Sequence, residues 1–379
     1  MGRRVRGLAV LLTAVPVVVA SSPGHAEPTP DRAVGGALLA RDGIVVHDAP
    51  GVRDLPKVSA SSYVIADLDT GDVLAAKDAH GHYRPASTIK ILTAITLIPR
   101  LDADDKVRPT QKDCNVDGSK VGLTPKMKYP VDDLFRGLMM ASGNDAALAL
   151  SRAAGGKEHT LKLMNATAHR LQAYDTVTKT PNGLDRKGQH SSAYDLALFA
   201  RHGLDMPEFR DYVTTERAKF PAPKKKSYQI ETHNRLLRPG PDRYKGAIGV
   251  KNGWTSKANA SFVGAATRKD HTIVVALMHS EPYFWKDARQ LLSWGFAARD
   301  KVRPVGMLAE PLPTTSPTPA PSPSTASPRA SAAGGASSDT RGSGGPLPLL
   351  ALGLAGAVAL GAGGVGLLLL IRRRRAPSP

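Results

Sequence analysis

Cysteine is all but absent: the 379 residues hold one, Cys114. A single thiol excludes an intramolecular disulfide, so a packed core has to hold the fold. It also excludes a zinc site built on four cysteines. Acidic residues are in deficit, 33 against 51 Lys and Arg, for a net charge of +18. Part of that excess sits at the termini. Without Arg3, Arg4, Arg6 and the run Arg372 to Arg375, 44 basic residues face 33 acidic ones, or +11. A body so basic favours polyanions as partners. Internal repeats are lacking as well. Gly and Pro total 66 residues, concentrated in a few stretches, and an apolar fraction of 41% rules out a wholly disordered or collagenous chain.

The two ends place the protein. Residues 1–26 begin with Arg3, Arg4 and Arg6, continue with an apolar stretch from Leu8 to Ala20, and end on small residues up to Ala26. This is the layout of a signal peptide. Leu347 to Ile371 is 25 residues without a charge. At about 1.5 Å per residue a helix of that length crosses a hydrocarbon core about 30 Å thick. Its glycines lower helix propensity, yet in lipid the backbone must satisfy its own hydrogen bonds, and a helix does so. Residues 347–371 are therefore predicted to form a transmembrane helix, and the basic tail 372–379 to stay cytoplasmic. The expected location is the cell membrane, crossed once, with the body outside. There the polyanions on offer are wall polymers and membrane surfaces, and nucleic acid is not an expected partner.

Between body and anchor, residues 309–346 read as a tether. From Leu312 on only Arg329, Asp339 and Arg341 are charged among Pro, Ser, Thr, Ala and Gly, which cannot build a core. The Pro-rich half should be extended and the Gly-rich half pliant. Residues 27–57 read as a flexible N-terminal segment, leaving 58–308 as the folded domain. Within it, Ser62–Ala66 and Val73–Ala76 are short β-type runs joined by Asp69-Thr70-Gly71-Asp72, a hairpin signature. Ile89–Leu97, Val131–Met140 and Ala146–Ala154 are helical in spacing, and Lys286–Ala298 is an amphipathic closing helix. Gly249-Val250, Ser261–Ala266 and Thr272–Met278 read as strands. The order predicts an α+β fold: an antiparallel sheet covered by helices, with an all-helical subdomain inserted in the middle.

Three short motifs carry chemistry. In Ser87-Thr88-Ile89-Lys90, residues three apart share a helix face, so Lys90 lies beside Ser87. A serine hydroxyl needs a base within reach, and a lysine kept unprotonated by burial and a neighbouring cation can supply it. Placing Ser87 at a helix start aims backbone N–H groups at a developing oxyanion. Ser142-Gly143-Asn144 follows 55 residues on, a tight loop between helical runs that can project a hydroxyl and an amide into a cleft. Lys251-Asn252-Gly253-Trp254-Thr255 lies 109 residues further, on a strand. Its lysine offers a charge, its glycine close approach of a substrate backbone to the strand edge, and Thr255 a hydrogen bond to a carboxylate. Each motif alone is commonplace, whereas the three together, in this order and in an exported chain, are not.

Together they resemble the Ser-x-x-Lys, Ser-x-Asn and Lys-Thr-Gly signature of β-lactamases and penicillin-binding proteins. The fuller match is to the serine-type D-alanyl-D-alanine carboxypeptidases, the low-molecular-weight penicillin-binding proteins. Arg84-Pro85-Ala86-Ser87, Ser142-Gly143-Asn144-Asp145-Ala146, Pro181-Asn182-Gly183-Leu184, His190 to Ala197 and Asn234-Arg235-Leu236-Leu237 extend it across the domain. The resemblance implies a β-lactamase/transpeptidase-like fold. It implies that Ser87 attacks the bond between two D-alanines of a peptidoglycan stem peptide, forming an acyl-enzyme that water then hydrolyses. Lys90 would be the base, and Ser142 with Asn144 the relay and the grip on the substrate amide. Lys251 and Thr255 would meet the terminal carboxylate, with the N–H groups of Ser87 and Trp254 as oxyanion hole. β-Lactams would acylate Ser87, and no metal or organic cofactor is implied.

Asn252 departs from the family's usual Thr, Trp254 from Tyr, Phe or His, and Asn259 from Gly. Two other serine-site readings compete: a wall-binding protein with weak or no activity, and a serine β-lactamase. The lactamase requires a Glu-x-x-x-Asn loop, and between Asn144 and Leu204 the only Glu is Glu158, with no Asn at that offset. A zinc peptidase would have to begin from His80-Gly81-His82, which has no third ligand in sequence. Lys224-Lys225-Lys226 reads as a solvated loop.

Overall fold

A sheet whose strands are apolar at successive positions has to be covered on both faces, and this requirement organises the molecule. The structure, a computed structural model, describes residues 33–313. In chain order the strands are β1 (Ile44–Val46), β2 (Ser62–Asp67), β3 (Asp72–Lys77), β4 (Lys106–Val107), β5 (Tyr129–Pro130), β6 (Arg217–Ala222), β7 (Lys226–Glu231), β8 (Ala247–Thr255), β9 (Asn259–Arg268), β10 (His271–Ser280) and β11 (Gly306–Met307). The helices are α1 (Lys90–Leu97), α2 (Gln111–Cys114), α3 (Val131–Met139), α4 (Asn144–Ala153), α5 (Lys157–Arg170), α6 (Ala193–Leu204), α7 (Pro207–Thr214) and α8 (Trp285–Ala298).

The main sheet runs β1-β3-β2-β10-β9-β8, with β11 also on β3, and every pairing is antiparallel. Side chains alternate between its faces. Val64, Ala66, Val274, Ala276 and Met278 point into a core shared with α1 and α6. Tyr63, Ile65, Ile273, Val275 and Leu277 point the other way, into a core shared with α8. The helices α1 to α7 lie between β3 and β8 in the chain, where the insertion was predicted, but the insertion is not all-helical: it also carries the two-stranded sheets β4–β5 and β6–β7, whose short strands pair locally. All eight residues of α1 are buried; a helix enclosed on every side is a fixed platform for the residues at its start.

The segment predicted to be flexible, 27–57, is structured over its described part. Leu39 is buried, β1 pairs with β3, and Trp294 Nε1 donates to the Arg53 carbonyl at 2.9 Å. A three-residue strand gains its stability from a sheet edge remote in sequence, which local pattern does not reveal. At the other end the domain continues past residue 308. Ala309 N donates to Tyr194 Oη at 2.9 Å, and Leu312 N to the Arg170 carbonyl at 2.7 Å. The signal segment 1–26, most of the tether, the membrane helix 347–371 and the tail 372–379 lie outside the described residues. Among the described residues, no helix is long and apolar enough to cross a membrane.

Candidate active site

Ser87 lies in a 3-10 turn, Ala86–Ile89, that leads directly into α1. Lys90, the first residue of α1, is fully buried, and its Nζ lies 2.9 Å from Ser87 Oγ. The same amine donates to Asn144 Oδ1 at 2.7 Å and to the Asn182 carbonyl at 2.8 Å, and sits 3.4 Å from Ser142 Oγ. Two of the three motifs thus meet on one nitrogen.

Ser142, three residues past the end of α3, lies in the left-handed region at φ 57, while Gly143 N donates to the Gly137 carbonyl at 2.9 Å. A left-handed φ is most often taken by glycine. Here serine takes the strained position and glycine follows at an ordinary φ of −58. Gly143 is small for another reason: a Cβ would meet Asp145 Oδ1 at 2.9 Å. Asn144 opens α4 with both ends of its amide engaged. Its Nδ2 donates to the Asp117 carbonyl at 2.7 Å, which turns Oδ1 toward Lys90.

The third motif arrives on β8, at one end of the main sheet. An ideal Cβ on Gly253 would lie 2.5 Å from Ser87 N and 3.0 Å from Ala86 Cβ. The glycine was expected to admit a substrate backbone, whereas the backbone packed against it here is that of the nucleophile's own turn. Period-two alternation puts Lys251, Gly253 and Thr255 on one face of the strand and Asn252 and Trp254 on the other. Lys251 is buried and donates to the Asn252 carbonyl at 2.7 Å. Thr255 Oγ1 accepts from Ala258 N at 2.9 Å, so the expected carboxylate ligand is engaged in the β8–β9 turn and offers a substrate its O–H. Asn252 and Trp254 line a cavity of about 470 Å³ with His233, Arg235, Arg238 and Trp285. Asn259, in place of the family's usual Gly, sits at φ 54, which Asn tolerates better than most residues.

Electrostatics set the protonation states. Burial drives the Lys90 pKa well below the usual lysine range, and the charge of Lys251 pushes it the same way, against a smaller upward pull from Asp145. Burial alone brings Lys251 down to about 7. Burial thus disfavours the charged form of both amines, and the neighbouring Lys251 charge disfavours that of Lys90 further, which suits Lys90 to act as the base beside the hydroxyl.

A half-buried serine, a buried lysine whose charged form is disfavoured and a second buried lysine come together from a sheet edge and two helix ends. The D-alanyl-D-alanine carboxypeptidase family matches residues 49–281. The chain belongs to this family. It is 38% identical over 258 residues to D-alanyl-D-alanine carboxypeptidase DacB2 of Mycobacterium tuberculosis, covering 65% of this chain and 86% of that one. With D-alanyl-D-alanine carboxypeptidase DacA of Escherichia coli it shares 32% over 275 residues, 68% of this chain and 64% of the relative. A crystal structure of a D-alanyl-D-alanine carboxypeptidase from M. tuberculosis superposes with a TM-score of 0.65 at 36% identity, over 69% of this chain and 99% of that one. The Streptomyces K15 DD-transpeptidase gives 0.61 at 28% identity, over 65% and 100%.

Several residues that shape this carboxypeptidase site entered the sequence reading, where they entered at all, only as parts of family-like stretches with no role assigned. Asp145 is fully buried, and its carboxylate accepts from the N–H groups of Val121, Gly122, Leu123 and Ala146 at 2.8–2.9 Å. It thereby pins the loop whose Ser119 carbonyl receives Asn144 N at 2.8 Å. Gly183, at φ +85, touches the turn of the nucleophile: a Cβ would lie 1.9 Å from the Ala86 carbonyl oxygen. The Asn182 contribution is a backbone carbonyl, invisible to side-chain reading. Burial, with help from Lys251, Arg238 and Lys90, lowers His233 to about 4, so it is neutral at working pH. His80 and His82 both face Asp175, at 2.7 and 3.5 Å, and among the described residues no group of three ligating side chains could hold a metal ion.

Proposed function

We propose that this chain, a serine D-alanyl-D-alanine carboxypeptidase, works through Ser87 with Lys90 as its base. The observation that carries the assignment is the 2.9 Å contact between Ser87 Oγ and an Lys90 amine whose charged form burial disfavours. Ser87 Oγ loses its proton to Lys90 Nζ and attacks the carbonyl between the two terminal D-alanines. The oxyanion forms against the N–H groups of Ser87 and Trp254, consistent with how closely β8 approaches Ser87 N. Ser142 passes the proton to the departing amine, Asn144 holds Lys90 in position and grips the substrate amide, and Lys251 and Thr255 meet the terminal carboxylate. D-Alanine leaves, and water, activated by the same lysine, releases the shortened peptide. β-Lactams enter the same path and stop at the acyl-enzyme.

Location follows from the unaligned ends. The basic and apolar start, 1–26, supports export, and the uncharged run 347–371 followed by four arginines supports a single membrane anchor. The domain then faces the cell wall on a Pro/Ser/Gly-rich tether.

The test uses full-length protein and a stem pentapeptide ending in D-Ala-D-Ala, followed by mass spectrometry with and without penicillin. One D-alanine is released, penicillin adds its mass to the peptide bearing Ser87, and Ser87→Ala abolishes both. Labelling that survives Ser87→Ala, or no release by the wild type, overturns the assignment.

A further inference from the structure

A groove of about 720 Å³ runs along the outer side of α8, and none of its lining residues belongs to the site described above. Four cations line it, Arg53, Arg243, Lys286 and Arg289, against one carboxylate, Asp54. Like charges on one concave wall repel, and partners only partly relieve them. Arg243 reaches Glu216 at 3.5 Å, with both side chains largely in water, and Arg289 reaches Asp242 at 3.8 Å. Arg53 and Lys286 have no acidic partner among the described residues, and the buried Nε of Arg289 has no hydrogen-bond acceptor. Tyr244 and Trp294, both nearly buried, supply an apolar floor. The walls come from three distant parts of the chain, and Trp294 Nε1 ties one of them down through the Arg53 carbonyl.

We propose that this groove binds a linear phosphodiester polymer. The arginine fork matches two phosphate oxygens at once and gives up its hydration more readily than an ammonium does, and three of the four cations are arginines. The concave shape favours a strand over a bilayer, since headgroups on a flat surface cannot reach a recessed floor. The lining stretch of α8, Lys286 to Ala297, gives the groove about 16 Å of length at 1.5 Å per residue. That length suits successive charges along a chain better than one small ion, and the aromatic floor suits the carbon linkers between phosphates. The inference does not depend on which residue performs the peptidase chemistry.

The experiment is isothermal titration of full-length protein in detergent with a glycerol phosphate hexamer, with D-alanine release from a soluble peptide measured in parallel. Binding is expected to weaken as salt rises. Arg53→Glu with Lys286→Glu should lower affinity at least tenfold and leave turnover unchanged. Lys224→Glu with Lys225→Glu, an equal change of net charge on the β6–β7 turn, should lower it less than twofold. The milder Lys286→Gln should show a partial loss and guards against misfolding of the double variant. Absence of binding, equal losses in the two double variants, or tighter capture by phosphatidylglycerol vesicles that Arg53→Glu with Lys286→Glu abolishes would each overturn the proposal, the last in favour of a membrane face.

Discussion

Adding one methyl group at position 253 tests the convergence of β8 on the nucleophile. Gly253 has an ordinary negative φ, so Gly253→Ala introduces no backbone strain, and its effect is purely one of space. The new Cβ would stand 2.5 Å from Ser87 N, 2.9 Å from Ser261 Oγ and 3.0 Å from Ala86 Cβ, where ordinary contact begins at 3.4 Å. Neither neighbouring backbone can swing aside as a long side chain would: Ser261 Oγ already holds the Pro85 carbonyl at 2.5 Å, and Ala86 sits in a left-handed conformation at φ 48. Strand and turn must separate by about 1 Å, and a misplacement of that size costs on the order of 100-fold in rate. Overpacking of this kind costs about 1–3 kcal/mol, which lowers Tm by roughly 2–4 °C per kcal/mol in a domain of this size. The assay is the second-order rate constant for acylation by a fluorescent penicillin, alongside D-alanine release and a thermal melt. The expected result is acylation reduced about 100-fold in a protein that still folds. Acylation within threefold of wild type would refute the claim that β8 abuts Ser87 N.

Two further outcomes follow. Lys251→Gln removes the charge that disfavours a Lys90 ammonium, so the Lys90 pKa rises; the acid limb of the acylation rate should move to higher pH, with activity lost at neutral pH and partly recovered above it, as a stopped-flow pH series would show. Asp145→Asn exchanges an acceptor of four backbone N–H groups for an amide with one acceptor oxygen and a donor turned against N–H. It should destabilise the domain by about 2–4 kcal/mol in urea titration, since hydrogen bonds to a charged group are worth about 1.5–3 kcal/mol each and are not additive.

What the sequence made legible was local. Ser87 and Lys90 are three apart on one turn, so their contact needed no tertiary knowledge, and the β2–β3 hairpin announced itself through Asp69-Thr70-Gly71-Asp72. Alternation along β8 was also available: it separates Lys251, Gly253 and Thr255 from Asn252 and Trp254, and so tells which of them face Ser87. Other features depend on contacts between remote segments. The Asn182 carbonyl is a main-chain group, and any residue type supplies one. Asp145 looks like an ordinary acidic residue in the first turn of a helix, and only the fold brings the 121–123 loop onto it. Strand β1 exists because β3 has an open edge. Ser142 was expected to project from a glycine-made turn, yet serine adopts the left-handed φ and Gly143 yields to crowding.

The direction of the Lys90 lone pair is as much a product of the fold as its charge. A neutral amine has two N–H bonds and one lone pair. Asn144 Oδ1 and the Asn182 carbonyl accept hydrogen bonds and cannot donate, so they take both N–H bonds. The lone pair is left facing the hydroxyls, with Ser87 Oγ nearest at 2.9 Å. Burial and Lys251 disfavour the proton, while Asn144 and Asn182 decide where the lone pair points once it is gone, and the two effects come from different stretches of chain. An amine that was neutral but unanchored would spread its lone pair over several orientations. One that was anchored but charged would donate to Ser87 Oγ and hold the serine back. Reactivity requires both conditions, which is why the family pattern reads Lys, Asn and Lys at such separations. A buried lysine without a carboxylate partner costs stability, and a sheet packed on both faces tolerates that cost.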